Sequence, residues 1–269
     1  MDHDAFATLL HFAVAALAVL SLGALVARGA LRERALALGP GRDLGLSRAE
    51  YVFGVAYVCG YVALMLTAGG IDDPLLASGI ALMPLIAIGL MVGRAMNAEA
   101  GFRKLGLAPR HPWRDVGWAA AAVPVAVALA WTCGQAMVLL SKSLGWAVSE
   151  SGHATLERLA DDPSRAFIVQ VVIAAVVLAP LLEEPLFRGL LQTSLMRLFH
   201  GRRWPALLIA SALFSVTHAW VVPWQNLVPL FVLGLVFGYL YERTGSLLTP
   251  VLAHAGFNAI NIAMVLGTT

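Results

Sequence analysis

Residues 165–199, RAFIVQVVIAAVVLAPLLEEPLFRGLLQTSLMRLF, decide the fold. No charge interrupts the run between Arg165 and Glu183, so as a helix it is apolar enough to cross lipid. The apolar character then continues past Glu183 and Glu184 to Phe199. Thirty-four rises of about 1.5 Å give roughly 51 Å, well beyond a ~30 Å hydrocarbon core. Such a helix must tilt, bend or break. Pro180 and Pro185 flank the two glutamates, and a proline inside a helix removes a hydrogen bond and frees a carbonyl, so the helix is expected to widen beside the carboxylates. Arg188, His218, His254 and Asn258 follow within apolar segments of the same kind. An ionisable group at membrane depth costs at least ~2.5–3.5 kcal/mol, so a group of them implies a buried polar cavity.

The whole chain has the composition of a membrane protein. It is 59% hydrophobic and 13% charged, with a mean hydropathy of +0.80, against roughly 45–50% and 25% for a soluble domain. At about 20 residues per span, 269 residues supply one bundle of seven to nine helices and leave no soluble catalytic domain in the loops. A net charge of +2, spread over several loops, excludes a nucleic-acid-binding stripe. Cys59 and Cys133 lie inside apolar runs and read as buried thiols rather than as a disulfide or metal pair.

Eight spans are expected near 5–27, 50–69, 74–93, 115–141, 165–187, 204–221, 226–242 and 247–266. The first follows Met-Asp-His-Asp without the positive start of a signal peptide and is read as retained. Arg28, Arg32, Arg34, Arg42 and Arg48 follow span one, and Arg94, Arg103, Lys104, Arg110 and Arg114 follow span three. Arg197, Arg202 and Arg203 follow span five, and Arg243 follows span seven. The intervening loops carry Asp72, Asp73, Glu150, Glu157, Asp161 and Asp162. Because Lys and Arg collect on the cytoplasmic side, an all-α polytopic bundle with both termini outside satisfies every loop. Segment 94–114 is expected as an amphipathic or irregular link along the cytoplasmic interface. Residues 1–164 then form N-terminal spans and interfacial segments, and 165–269 a transmembrane core that holds the buried polar residues, in an integral protein of the cell membrane.

Spacing sets the chemistry of the core. Glu184 and Arg188 are four apart on one helical face and pair, whereas Glu183 points about 100° away and is left unpaired within its helix. Glu183 lies 14 residues before Arg197 and His218 lies 14 after Trp204, so antiparallel neighbours bring both about 21 Å in from the cytoplasmic ends. A carboxylate and a neutral imidazole beside one water are what general-base activation requires. His254 and Asn258, again four apart, offer a donor and a carboxamide N–H for an oxyanion. Gly234 and Gly238 read as close helix packing, Gln192 as a continuation of the Glu184–Arg188 stripe, and Trp113, Trp118, Trp146, Trp204, Trp220 and Trp224 as an aromatic belt. His3, His11, His111, His153 and His200 read as packing or interfacial histidines.

Three motifs occur in order: Glu183-Glu184-Pro185-Leu186-Phe187-Arg188 as E-E-x-x-x-R, Phe214-Ser215-Val216-Thr217-His218 as F-x-x-x-H, and His254-Ala255-Gly256-Phe257-Asn258 as H-x-x-x-N. Together they resemble those of the CAAX-processing and bacteriocin-processing (Abi) intramembrane proteases, the type II CAAX prenyl endopeptidases. The resemblance covers about 165–266 and implies that Glu183 and His218 activate water. It further implies that His254 and Asn258 stabilise the oxyanion, and that Glu184 and Arg188 support the site. The implied substrate is a membrane-associated or lipidated peptide or protein. A metal-free route is favoured; the alternative is a divalent ion such as zinc held by Glu183, His218 and His254. A non-proteolytic membrane scaffold is the other class of function to separate from an enzyme, and a transporter with buried proton sites the third.

Overall fold

The computed structural model describes residues 3–36, 46–67, 74–97, 101–109, 111–148, 153–161 and 164–267, and their side chains except at 3–12, 34–35, 74–78 and 154. Among these residues all regular structure is helical: α1 (His3–Ala27), α2 (Glu33–Leu36), α3 (Arg48–Thr67), α4 (Pro74–Met96), α5 (Gly101–Lys104), α6 (Pro112–Ser143) and α7 (Ala154–Asp161). Then come α8 (Arg165–Leu198), α9 (Arg203–Val216), α10 (Leu227–Thr244) and α11 (Leu248–Leu266).

Six of these helices are long and apolar enough to cross a membrane: α3, α4, α6, α8, α10 with the turn Trp224–Asn226 before it, and α11. Two shorter apolar stretches, Ala13–Ala27 of α1 and the whole of α9, coincide with the remaining expected spans. Outward-facing Val52, Phe53, Leu85, Leu90, Leu139, Val169 and Leu208 are exposed. A girdle of large apolar side chains on this scale has lipid as its natural solvent.

The cation-bearing segments meet at one end of the bundle. Trp204 Nε1 donates to the Leu31 carbonyl at 2.9 Å, and the Arg203 backbone N–H donates to the Glu33 carboxylate. The Leu247 N–H donates to the Gly106 carbonyl at 2.9 Å. Gly106 has φ +75°, and a Cβ there would stand 2.9 Å from the Gly245 carbonyl oxygen, so only glycine lets these loops touch. At the other end, Trp220 Nε1 donates to the Leu66 carbonyl, Gln225 to the Ala147 carbonyl, and Trp146 meets Trp224 edge-on at 5.5 Å. Arg42, Arg110, Asp72, Asp73, Glu150 and Asp162 lie outside the described residues.

Two apolar clusters flank α8. Val58, Ala87, Leu186, Phe187, Leu191 and Phe214 fill the space between α3, α4, α8 and α9. Ala119, Ala126, Leu233, Phe237 and Ala253 fill that between α6, α10 and α11. The Gly234–Gly238 pair does what its spacing suggests: a Cβ on Gly234 would lie 3.0 Å from Ser211 Cα on α9, and one on Gly238 would lie 3.3 Å from Leu207. We expect Gly234→Leu to cost about 1–3 kcal/mol by overpacking. Gly60→Ala, with no atom within 4 Å of the added carbon, leaves stability unchanged or raises it by about 0.4–1 kcal/mol. Thermal unfolding in detergent checks both.

Two expectations need correction. Hydropathy carries the sixth span to 221, but α9 ends at Val216 and is about 21 Å long. The Phe214 carbonyl, at the helix end, is taken by the Thr217 hydroxyl at 2.7 Å and by His218 Nδ1 at 3.0 Å, and the chain turns over 217–222. Side-chain bonds of this kind offer the backbone an alternative to another helical turn. Cys59 is free, as is Cys133, but it lies exposed on the outer face of α3 instead of buried. The expected widening is present: α8 runs through to Leu198 as one helix with two π-helical stretches, Ile173–Leu178 and Pro185–Gln192.

Candidate active site in the widened helix

The widening centres on the two prolines. Residues Ile173–Leu178 and Pro185–Gln192 of α8 are π-helical, with the carboxylates on the α-helical turn Ala179–Glu184 between them. π-Turns of this kind gather at functional sites because they rotate following side chains out of α register. In the first of them the Ala179 N–H bonds the Ala174 carbonyl, five residues back. By the same register the Ala175 carbonyl would require the N–H of residue 180, and Pro180 has none. Asn258 Nδ2 of α11 donates to that carbonyl at 2.7 Å instead. The chemistry that widens the helix thus also supplies an anchoring point for its neighbour.

Glu184 is fully buried and bonded on both oxygens. Arg188 Nε donates to Oε2 at 3.0 Å and His254 Nδ1 to Oε1 at 2.9 Å. The expected ion pair is therefore one arm of a triad that also aligns a histidine. Arg188 is equally buried, lies 5.2 Å from the centre of the Phe214 ring, and keeps Nη1 and Nη2 without a hydrogen-bond partner. One turn further on, Gln192 continues the stripe and donates to Glu242 Oε1 at 2.8 Å, and Glu242 Oε2 in turn receives Arg203 Nε at 3.1 Å.

Phe214 organises the two histidines. Its ring centre lies 5.1 Å from that of His218 and 6.0 Å from that of His254, while Phe187 packs edge-on at 5.4 Å. His254 is stacked on the other side by Phe237 at 4.9 Å. His218 Nδ1 faces the Phe214 carbonyl, which can only accept, so the proton sits on Nδ1 and Nε2 carries the free lone pair. With Nδ1 of His254 held by Glu184, Nε2 is likewise its available nitrogen. Glu183 keeps Oε2 buried with no hydrogen-bond partner, within electrostatic reach of the Tyr61 phenol on α3.

An imidazole held by a carbonyl or a carboxylate through its second nitrogen is the usual outer shell of a bound metal. Among the described residues, however, no three His, Cys, Asp or Glu side chains gather closely enough to hold an ion. Glu183, His218 and His254 thus have suitable donor atoms without the convergence that a zinc site demands.

Two site neighbours escape the sequence. Tyr61 is one: nothing in an apolar span marks a tyrosine as facing a carboxylate 122 positions away. His153 is the other, one of the histidines that read as packing or interfacial. It precedes α7, which packs against α11, and its Nδ1 accepts the Thr155 N–H at 3.2 Å. Burial holds the His153 imidazole below its usual range and the nearby His218 acts in the same direction, with Glu157 opposing. A depressed histidine leaves the fold unpenalised above its unfolded pKa and weakens it as pH falls below that value. His153→Gln should therefore reduce the loss of Tm between about pH 7.5 and about pH 5.

Comparison with known proteins gives two matches. An uncharacterized 24.3 kDa protein of Escherichia coli is 32% identical over 111 residues, 41% of this chain and 51% of that protein, so the match spans about half the relative's length. No solved structure matches the chain. Residues 165–260, which hold all three motifs with Phe214, Phe237 and the widened helix, match the family model of the Rce1-like type II CAAX prenyl endopeptidases.

Proposed function

We propose that this protein is an intramembrane endopeptidase that hydrolyses a peptide bond of a membrane-associated or lipidated substrate. The observation that carries the reading is a buried, unpartnered Glu183 oxygen on the same widened helix as a Glu184 that aligns His254. Glu183 takes a proton from a water that also donates to the free Nε2 of His218. The water oxygen attacks the carbonyl carbon. With Nδ1 aligned on Glu184 and no proton leaving the ring, His254 presents Nε2 as a hydrogen-bond donor to the oxyanion. The second N–H of Asn258 adds to it. Collapse breaks the C–N bond, and the proton held by Glu183 passes to the leaving amine. No metal enters this sequence of steps.

The eight apolar helices are read as spans with both termini outside, which sets the cation-bearing end of the bundle toward the cytoplasm. A substrate then reaches Glu183 from lipid or from the inner face of the cell membrane.

The experiment compares peptide termini by mass spectrometry in native-host cells carrying wild-type or Glu183→Gln protein at equal abundance. Termini present only with the wild type support proteolysis and name candidate substrates. Identical termini, with the phenotype rescued by both proteins, would replace this reading with the scaffold. Asn258→Ala should lower kcat by about 10²–10³-fold.

A further inference from the structure

Resting on this hydrolytic reading, we infer that Pro180 is a positioning residue: by lacking an N–H it reserves the Ala175 carbonyl for Asn258, and this bond sets α11 against the helix that carries the carboxylates. The register argues for it. Ala179 spends its N–H on Ala174, so Ala175 has lost its α-helical donor; its π-helical donor is the proline nitrogen. Asn258 fills the position at 2.7 Å. The Ala175 carbonyl is part-buried within a helix apolar enough to span the membrane, where a carbonyl left without a donor is costly, so the two features are coupled: the proline creates the demand and the asparagine meets it.

The consequence for the site is geometric. α11 is attached to α8 at two points, His254 to Glu184 at 2.9 Å and Asn258 to the Ala175 carbonyl at 2.7 Å. Apolar packing against α6, α10 and α7 seats α11 in the bundle, and with a single polar bond to α8 its rotation against the carboxylates would be set by that packing alone. Two points fix both its rotation and its height relative to Glu183. With one N–H engaged, the carboxamide is also held in a single orientation, so its other N–H has a defined direction. Proline here is useful for the atom it lacks.

A double-mutant cycle tests the clamp. Asn258→Ala should lower Tm by about 2–10 °C in the wild-type background. In a Pro180→Ala background, where residue 180 supplies its own N–H to Ala175, the same substitution should lose at least about half of that effect. Pro180→Ala alone should keep or raise Tm yet lower kcat by at least about tenfold with little change in KM, because a released α11 no longer holds the oxyanion donors in place. Equal Tm losses in the two backgrounds would overturn the clamp. Coupled Tm losses with an unchanged kcat for Pro180→Ala would overturn the positioning role. If the wild type cuts no peptide while the Tm coupling persists, the clamp is supported and the hydrolytic reading alone fails. Should Pro180→Ala not fold, Pro180→Ser, which also restores the N–H, takes its place in the cycle.

Discussion

Glu183→Gln is expected to abolish cleavage, by about 10²–10⁴-fold, while the protein folds and accumulates as the wild type does. Two observations separate this substitution from a structural one. Glu183 Oε2 is buried and has no hydrogen-bond partner, so replacing it with an amide breaks no bond made by that oxygen. Its neighbour Glu184 carries the bonds to Arg188 and His254, so the triad survives intact. An amide is isosteric with the carboxylate but cannot take a proton from water. The Tm of Glu183→Gln should equal or exceed that of the wild type, because the buried Oε2 makes no hydrogen bond for the substitution to remove. Turnover at the wild-type rate would remove Glu183 from the role of base. An unfolded variant would show that Glu183 holds the fold instead.

Arg188→Met is expected to have the opposite signature, a loss of stability of about 3–5 kcal/mol with activity falling alongside it. Removing the guanidinium leaves the Glu184 carboxylate fully buried with only His254 to compensate it. It also removes the cation from the Phe214 face, 5.2 Å away, which packs both histidines. The cost comes from the stranded charge more than from the lost pair, so the combination Glu184→Gln with Arg188→Met should be more stable than Arg188→Met alone. Thermal unfolding of the three variants decides the matter. A double variant as unstable as the sum of its parts would mean that the pair is not energetically coupled.

The contrast between these neighbours is legible in the sequence, because it rests on spacing. Residues four apart share a helical face, so Glu184 falls to Arg188 and Glu183 is left over, and the bonds follow that division. The widening beside Pro180 and Pro185 is equally legible, since the missing N–H is a property of the residue. Other features are not. That α9 stops at Val216 depends on Thr217 and His218 competing for one carbonyl, a local choice that hydropathy does not register. Cys59 sits in an apolar run that says nothing about which side of α3 faces lipid, because around such a helix every residue suits either environment.

The sequence by itself determined the helical membrane class, the positions of the apolar helices, the clustering of cations and the motif residues. These follow from one-dimensional facts: apolar run length, charge placement and i to i+4 spacing. Tertiary structure alone decided which side chains meet across helices. It joined His254 to Glu184 over 70 positions and Asn258 to the Ala175 carbonyl over 83, and it set Tyr61 and His153 beside the site. Such pairings depend on the rotation and height of each helix against its neighbours. In lipid no hydrophobic pattern records that rotation, because the outer and inner faces of a spanning helix are almost equally apolar.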